Sequence, residues 1–226
     1  MTVDLGTGDG RAVLAVAARD PRTLHLGLDP VATAMAEVSR RAARPAGRGG
    51  LPNARFVVAA AETWPAELRD IATLVTVRFP WASLLRGCLG HDPKVAAGIA
   101  GLVAPGGLLE LLLAPAERDR LDGLPTDPAA VVGAARATFE DPGLTCVEGR
   151  TATADEIRSS GSTWAKRLLR GTGRPAPAVG ARHVVVVRFR RPADADGAVG
   201  ADGAEGADGP AGHAERTLEI GPSGQG

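Results

Sequence analysis

The residues with the most chemical content stand at the start of the chain. Val3-Asp4-Leu5-Gly6-Thr7-Gly8-Asp9-Gly10 reads as a strand running into a glycine turn and then a helix. Gly6 and Gly8 let the backbone turn tightly and approach a ligand closely. Asp29 follows 23 residues after Gly6, at the end of a second strand, where an acid can accept hydrogen bonds from ribose hydroxyls. A dinucleotide fingerprint would need its third glycine at position 11, which is Arg11. The pattern is therefore GxGxG, and it favours adenosylmethionine, which has no phosphate for the turn to bind, over NAD. Asp4 can hold the ammonium of that cofactor or order the loop. Glu62 closes Ala59-Ala60-Ala61-Glu62 after a third strand, a place suited to adenine recognition by backbone and a polar side chain. Any one glycine is no more than a tight turn, but Gly6, Gly8, Asp29 and Glu62 fall together where three successive strand ends meet.

A second constellation follows the fourth strand, in Arg78-Phe79-Pro80-Trp81-Ala82-Ser83. A proline followed by an aromatic suits methylation of a base nitrogen: backbone carbonyls face the reacting nitrogen, and the ring stacks on an extruded base. Ser162-Thr163-Trp164-Ala165-Lys166-Arg167 is a third. The chain has three tryptophans, four phenylalanines and no tyrosine, so two tryptophans at strand ends are informative. A lone tryptophan is more often core than stacking platform; that reading is given to Trp64 and stays open for Trp81 and Trp164.

These groups need a scaffold, and the chain alternates short β runs with helical stretches. Strands are predicted at 3–5, 24–28, 56–59, 71–77 and 108–113, with 144–148 and 183–189 paired antiparallel at one edge. Helices are predicted at 11–19, 32–43, 93–102 and 128–139, the last two opening on proline, which suits a first helical turn. The fold class is α/β: a Rossmann-like, mostly parallel seven-stranded sheet with helices on both faces and an antiparallel edge. A ligand would then lie at the carboxyl ends of the strands.

Composition sets the remaining bounds. A charged fraction of 23% and a hydrophobic fraction of 44% are ordinary for a soluble domain. No apolar run approaches the length of a membrane span, and Met1-Thr2-Val3-Asp4 has neither the basic nor the apolar region of a signal peptide. The expected location is cytoplasmic and the expected state monomeric. Cys88 and Cys146 match no metal or redox spacing and read as small hydrophobes; His25, His91, His183 and His213 form no ligand pattern, so no metal is expected. The net charge of zero conceals an asymmetry. Residues 1–191 hold 25 basic and 19 acidic side chains, whereas residues 192–226 hold one basic and seven acidic. Residues 158–191 alone carry nine basic residues and no acid, which is either a surface for phosphate backbones or a solvated basic face. We therefore expect a domain over 1–191 and a disordered Gly/Ala/Asp-rich acidic tail over 192–226.

With these motifs in place, the chain resembles the 16S rRNA (adenine(1408)-N1)-methyltransferases of the kanamycin–apramycin aminoglycoside-resistance type. The resemblance runs from Val3 to about Arg174. It rests on the glycine loop, on Gly27-Leu28-Asp29-Pro30, Gly49-Gly50-Leu51-Pro52-Asn53 and Ala60-Ala61-Glu62, on Phe79-Pro80-Trp81 with Ser83-Leu84-Leu85, and on Ser162-Thr163-Trp164-Ala165-Lys166-Arg167-Leu168. The glycine loop is generic; Phe-Pro-Trp with Trp-Ala-Lys-Arg-Leu is far more specific. It implies an S-adenosylmethionine pocket formed by Asp4, Gly6, Thr7, Gly8, Asp29, Ala61, Glu62 and Arg78, Phe79, Pro80, Trp81, Ala82 and Ser83, with Ser162, Thr163 and Trp164 closing over it. It implies that Trp81 and Trp164 sandwich a flipped adenine beside Pro80, and that Arg40, Arg41, Arg44, Arg167, Arg170 and Arg174 meet rRNA phosphates. The implied partner is the assembled 30S subunit at its decoding site. Family members carry an N-terminal extension ahead of the first strand, whereas this chain starts on the strand, so the extension is expected to be missing. The alternatives are an enzyme of the same fold acting on tRNA or a small molecule, and a non-catalytic RNA-binding relic.

Overall fold

The computed structural model describes residues 1–116, 123–165 and 183–194. Seven strands, β1 (Thr2–Leu5), β2 (His25–Asp29), β3 (Ala54–Val58), β4 (Ala72–Arg78), β5 (Val103–Leu113), β6 (Thr145–Thr151) and β7 (Val185–Arg190), form one sheet in the order β3-β2-β1-β4-β5-β7-β6. Pairings among β1 to β5 are parallel, and β7 runs antiparallel to both β5 and β6. The antiparallel pair predicted at the edge is therefore present, with the last strand inserted inside it and β6 left outermost. Strand β5 begins five residues ahead of the predicted start, because Ala104 to Gly107 lie in an irregularity of register between Ala72↔Val103 and Leu74↔Leu108.

The helices are α1 (Arg11–Arg19), α2 (Ala32–Ala42), α3 (Ala82–Cys88), α4 (Pro93–Leu102), α5 (Pro128–Glu140) and α6 (Ala154–Ser159). Both helices open on proline as predicted, and both are capped by the preceding aspartate: the Asp92 carboxylate accepts from the N–H groups of Lys94 and Val95, and that of Asp127 from Ala130. Two helices were not predicted. Helix α3 is seven residues long with no side-chain cap and an internal glycine; a Cβ on Gly87 would stand 2.1 Å from Val95 Cγ1, so glycine there lets α3 close on α4. Helix α6 is six residues long, yet it opens on a complete capping box between Thr153 and Glu156.

The sheet's alternation divides the interior. One face of β1, β4, β5 and β7, including Val3, Val75, Leu109, Val187 and Phe189, is buried with Leu85, Ile99 and Phe139 of α3 to α5. The opposite face packs Val13, Leu14, Met35 and Val38 of α1 and α2 in a separate cluster with Phe56. Trp64 belongs to the first core, as expected, its indole N–H donating to the Gly98 carbonyl at 3.0 Å. Cys88 is fully buried there, which pushes its thiol pKa up, and the Cys146 thiol donates to the Glu148 carbonyl. Among the described residues no helix is long and apolar enough to cross a membrane. The expected tail lies outside the described residues from position 195 onward.

The outer face of β1, β4, β5, β7 and β6 carries a transverse row of polar side chains. Asp4 pairs in register with Thr76, Thr76 with Glu110, Glu110 with Arg188, and Arg188 with Glu148. At one end the row touches the glycine loop's strand; at the other it reaches α6.

Candidate active site

Strands β2 and β4 flank β1 on its two sides, and the chain leaves them in opposite directions, so a crevice opens at their carboxyl ends. A cleft of about 350 Å³ occupies it. Its floor is Asp4, Gly6, Thr7 and Gly8 from the end of β1 together with Arg78 and Phe79 from the end of β4. Ser162, Thr163 and Trp164 form its far wall. The structure thus brings together nine of the residues singled out in the sequence.

The two acids have different partners within the protein. Asp29 orders the loop: one carboxylate oxygen accepts from the Gly8 N–H and the other from the Val31 N–H, both at 2.9 Å. Each oxygen keeps a lone pair, so a ribose contact would be additional to that task. Asp4 makes no hydrogen bond to the loop backbone among the described residues. Its Oδ1 accepts from Thr76 Oγ1 at 2.7 Å and from the Arg78 guanidinium at 2.9 Å. The other oxygen takes no bond from the described residues, on a side chain that lines the cleft.

Asp29, Ala61, Glu62, Pro80, Trp81, Ala82 and Ser83 lie outside the cleft lining. Ala61 is buried and Glu62 exposed beside α4. Pro80 is buried, while Trp81 is 57% exposed at the N-cap of α3. The backbone here is strained: Phe79 has φ 52° and Ala82 φ 47°, left-handed values in two residues with side chains, bracketing Pro80-Trp81. Each costs about 1–2 kcal/mol, and non-glycine strain of this kind concentrates at functional sites. Phe79 is held by its N–H to the Leu112 carbonyl and by its ring, 4.6 Å from that of Trp164. Trp164 is therefore part of a small apolar cluster with Phe79, Ile157, Leu112 and Val186, and an aromatic sandwich would have the Phe79–Trp164 pair as one of its sides.

Three contributors were missed in the sequence. Thr76 shares the Asp4 oxygen with Arg78, two residues before it on the same face of β4. Asp9 Oδ2 accepts from Thr163 Oγ1 at 3.0 Å, tying the far wall to the glycine loop across 154 positions. Glu156 holds α6, which leads directly into that wall. It accepts from Arg150 through both oxygens at 2.8 Å, from Arg188 at 3.1 Å, and from the N–H and hydroxyl of Thr153. Of the three, Glu156 alone carries a local signal that could have been read, the Thr-x-x-Glu capping box.

Hydrogen bonds from Arg150, then from the Thr153 backbone, hold the Glu156 carboxyl far below the usual range; Arg188, then Arg150, lower that of Glu148. A carboxyl depressed on folding stabilises fully above its unfolded value, about 4.3, and that stability is lost as pH falls through the folded value. The thermal midpoint should therefore fall as pH drops below about 4, and Glu148→Gln should flatten the decline. Identical midpoint-versus-pH curves for the two proteins would contradict this assignment.

Arg40, Arg41 and Arg44 are all exposed. They sit in the last turn of α2 and just beyond it, at the end of the sheet where β2 and β3 begin, since the chain passes from there to Ala54 beside His25. They are thus at the opposite end of the sheet from the cleft. Arg167, Arg170 and Arg174 lie outside the described residues. Among the described residues no group of three or more His, Cys, Asp or Glu could hold a metal ion.

The strand order, the glycine loop at the switch point and the acid beneath it define a Rossmann-like α/β methyltransferase domain. The chain belongs, more narrowly, to the 16S rRNA (adenine(1408)-N(1))-methyltransferase family, whose model matches residues 1–182. It is 30% identical over 179 residues to the 16S rRNA (adenine(1408)-N(1))-methyltransferase of Escherichia coli, spanning 76% of this chain and 82% of that one. With the enzyme of the same name from Streptoalloteichus hindustanus it shares 33% over 174 residues, 74% of this chain and 80% of the other. In structure it is similar to a tryptophan-to-alanine mutant of the Catenulisporales acidiphilia enzyme solved with its cosubstrate SAM, at a TM-score of 0.71, 29% identity and coverage of 86% and 87%.

Proposed function

We propose that this chain transfers the methyl group of S-adenosylmethionine to N1 of the decoding-site adenine of 16S rRNA in the assembled 30S subunit, and so confers aminoglycoside resistance. The observation that carries the reading is the junction of the glycine-loop cleft with the strained Phe79-Pro80-Trp81-Ala82 turn, within a chain of this family. The domain over 1–191 would act as a monomer in the cytoplasm, with the acidic segment after it outside the catalytic unit.

The cleft fits the cofactor on its own chemistry. Thr7 Oγ1 and Arg78 Nε are buried without a hydrogen-bond partner among the described residues, and leaving such groups unmet costs about 1–3 kcal/mol each. Gly8, at φ 59°, has open space where a Cβ would stand. Bound there, S-adenosylmethionine supplies a methyl group already activated by its sulfonium charge. Asp4 would accept its ammonium, Asp29 would hold the loop and its ribose, and Ala61 with Glu62 would meet the adenine. Ser162 and Thr163 would close the far side.

The rest of the reaction is positioning. Adenine N1 carries no proton at neutral pH, so no side chain has to remove one before its lone pair attacks. Extruding the base costs a few kcal/mol, which stacking on Trp81 and on the Phe79–Trp164 pair would offset. The backbone at Pro80 would direct N1, and the indole faces would favour the cationic product. Arg40, Arg41 and Arg44, with Arg167, Arg170 and Arg174, would contact phosphates. Replacing Arg40, Arg41 and Arg44 together should reduce the salt slope of 30S binding by about 2–3; an unchanged slope would remove them from the interface.

The deciding experiment is primer extension on 16S rRNA from cells expressing the chain. N1-methylation blocks Watson–Crick pairing, so reverse transcriptase should stop at the decoding-site adenine. A full-length product at that position, in cells making folded protein, would rule the substrate out.

A further inference from the structure

The wall that closes the cleft is not fastened by its own contacts alone. Residues 160–164 leave the end of α6, and the hydrogen bond from Thr163 Oγ1 to Asp9 Oδ2 latches them to the glycine loop. Helix α6 is far too short to be stable by itself. It is clamped from below instead. Glu156, at its third residue, takes bonds from Thr153, Arg150 and Arg188. Arg188 in turn donates to Glu110 on β5 and Glu148 on β6. The clamp thus joins three strands to the one helix that aims the latch. Its side chains are a fifth to two-fifths exposed, so the charges are held in a geometry without being deeply buried.

We propose that Glu156 is a positioning residue for cofactor binding: gripped by Arg150 and Arg188, it sets α6 so that Thr163 reaches Asp9 and closes the wall over the cleft. The inference rests on the adenosylmethionine reading given above. Glu156 is not among the residues lining the cleft, and its carboxylate is assigned its effect on the wall through Thr163. A residue that merely stabilised the domain would weaken binding by the same factor whether or not the latch is present, whereas a residue acting through the latch loses its effect once the latch is gone.

The test is a double-mutant cycle read by isothermal titration calorimetry with S-adenosylmethionine on the full chain, with no turnover required. Glu156→Ala should raise the dissociation constant about tenfold in the wild-type background and less than about twofold when Thr163 is already valine. Should Glu156→Ala fail to fold, Arg150→Gln is used in the same cycle; it removes the two-oxygen grip from the exposed side and leaves the helix cap intact. Glu156→Gln, which can still cap the helix, should lie between wild type and Glu156→Ala. Equal factors in both backgrounds would overturn the inference while leaving the cofactor reading in place. Absence of binding heat from the folded wild-type chain would overturn the cofactor reading and this inference with it.

Discussion

Trp81→Ala is expected to cut methyl transfer to 30S subunits by about 5- to 150-fold, the cost of about 1–3 kcal/mol attached to losing one base–aromatic stack, and to leave the affinity for S-adenosylmethionine within about twofold of wild type. The separation follows from the site. Trp81 is more than half exposed and outside the cleft lining, so its truncation opens no cavity and should move stability by no more than about 0.5 kcal/mol. Trp164→Ala is a different experiment, because that ring stacks on Phe79 and helps fill a small apolar cluster. Its loss should lower both turnover and the thermal midpoint. Full drug resistance from cells carrying Trp81→Ala would end the stacking model.

Asp4→Asn should weaken S-adenosylmethionine binding by about 10- to 150-fold, from loss of a charge-assisted contact worth about 1.5–3 kcal/mol. The amide can still accept from Thr76 and Arg78 through its oxygen, so the fold should survive. Asp4→Ala should add a stability loss, because it strands the Arg78 guanidinium, whose side chain is only 18% exposed, beside an uncompensated cavity. Calorimetry separates the two effects from a melting curve on the same samples. Unaltered binding by Asp4→Asn would assign the ammonium to another group.

Much of this was legible in the sequence because local chemistry and global role coincide. The glycine loop, α1, α4 and the proline-started α5 are signalled by residues that act within a few positions of themselves. Asp29 was found by its spacing, but its two backbone partners were not, since Val31 and Gly8 meet it only once β1 and β2 are side by side. The contacts between distant segments were the ones hidden. Nothing near Thr163 in the sequence announces Asp9, and Thr76 reads as an ordinary strand residue until β4 is set beside β1. Helix α3 escaped for the opposite reason: it is short, uncapped and entered through a left-handed alanine, so its own residues do not favour it and the packing of Leu85 and Cys88 must.

With the arginines of α2 on rRNA phosphates, as proposed above, their separation from the cleft would make the domain a gauge. The helix of 11 residues that separates them is about 16 Å long. A mononucleotide or a short hairpin can fill one station and leave the other facing water. Only an object that is itself rigid over that length can satisfy both at once, and for such an object the second contact is made at the high effective concentration set by the first. Selection would then fall on the spacing between two features of a folded particle rather than on the bases around the target, and lengthening α2 by one turn should spoil the match without altering a single contacting residue.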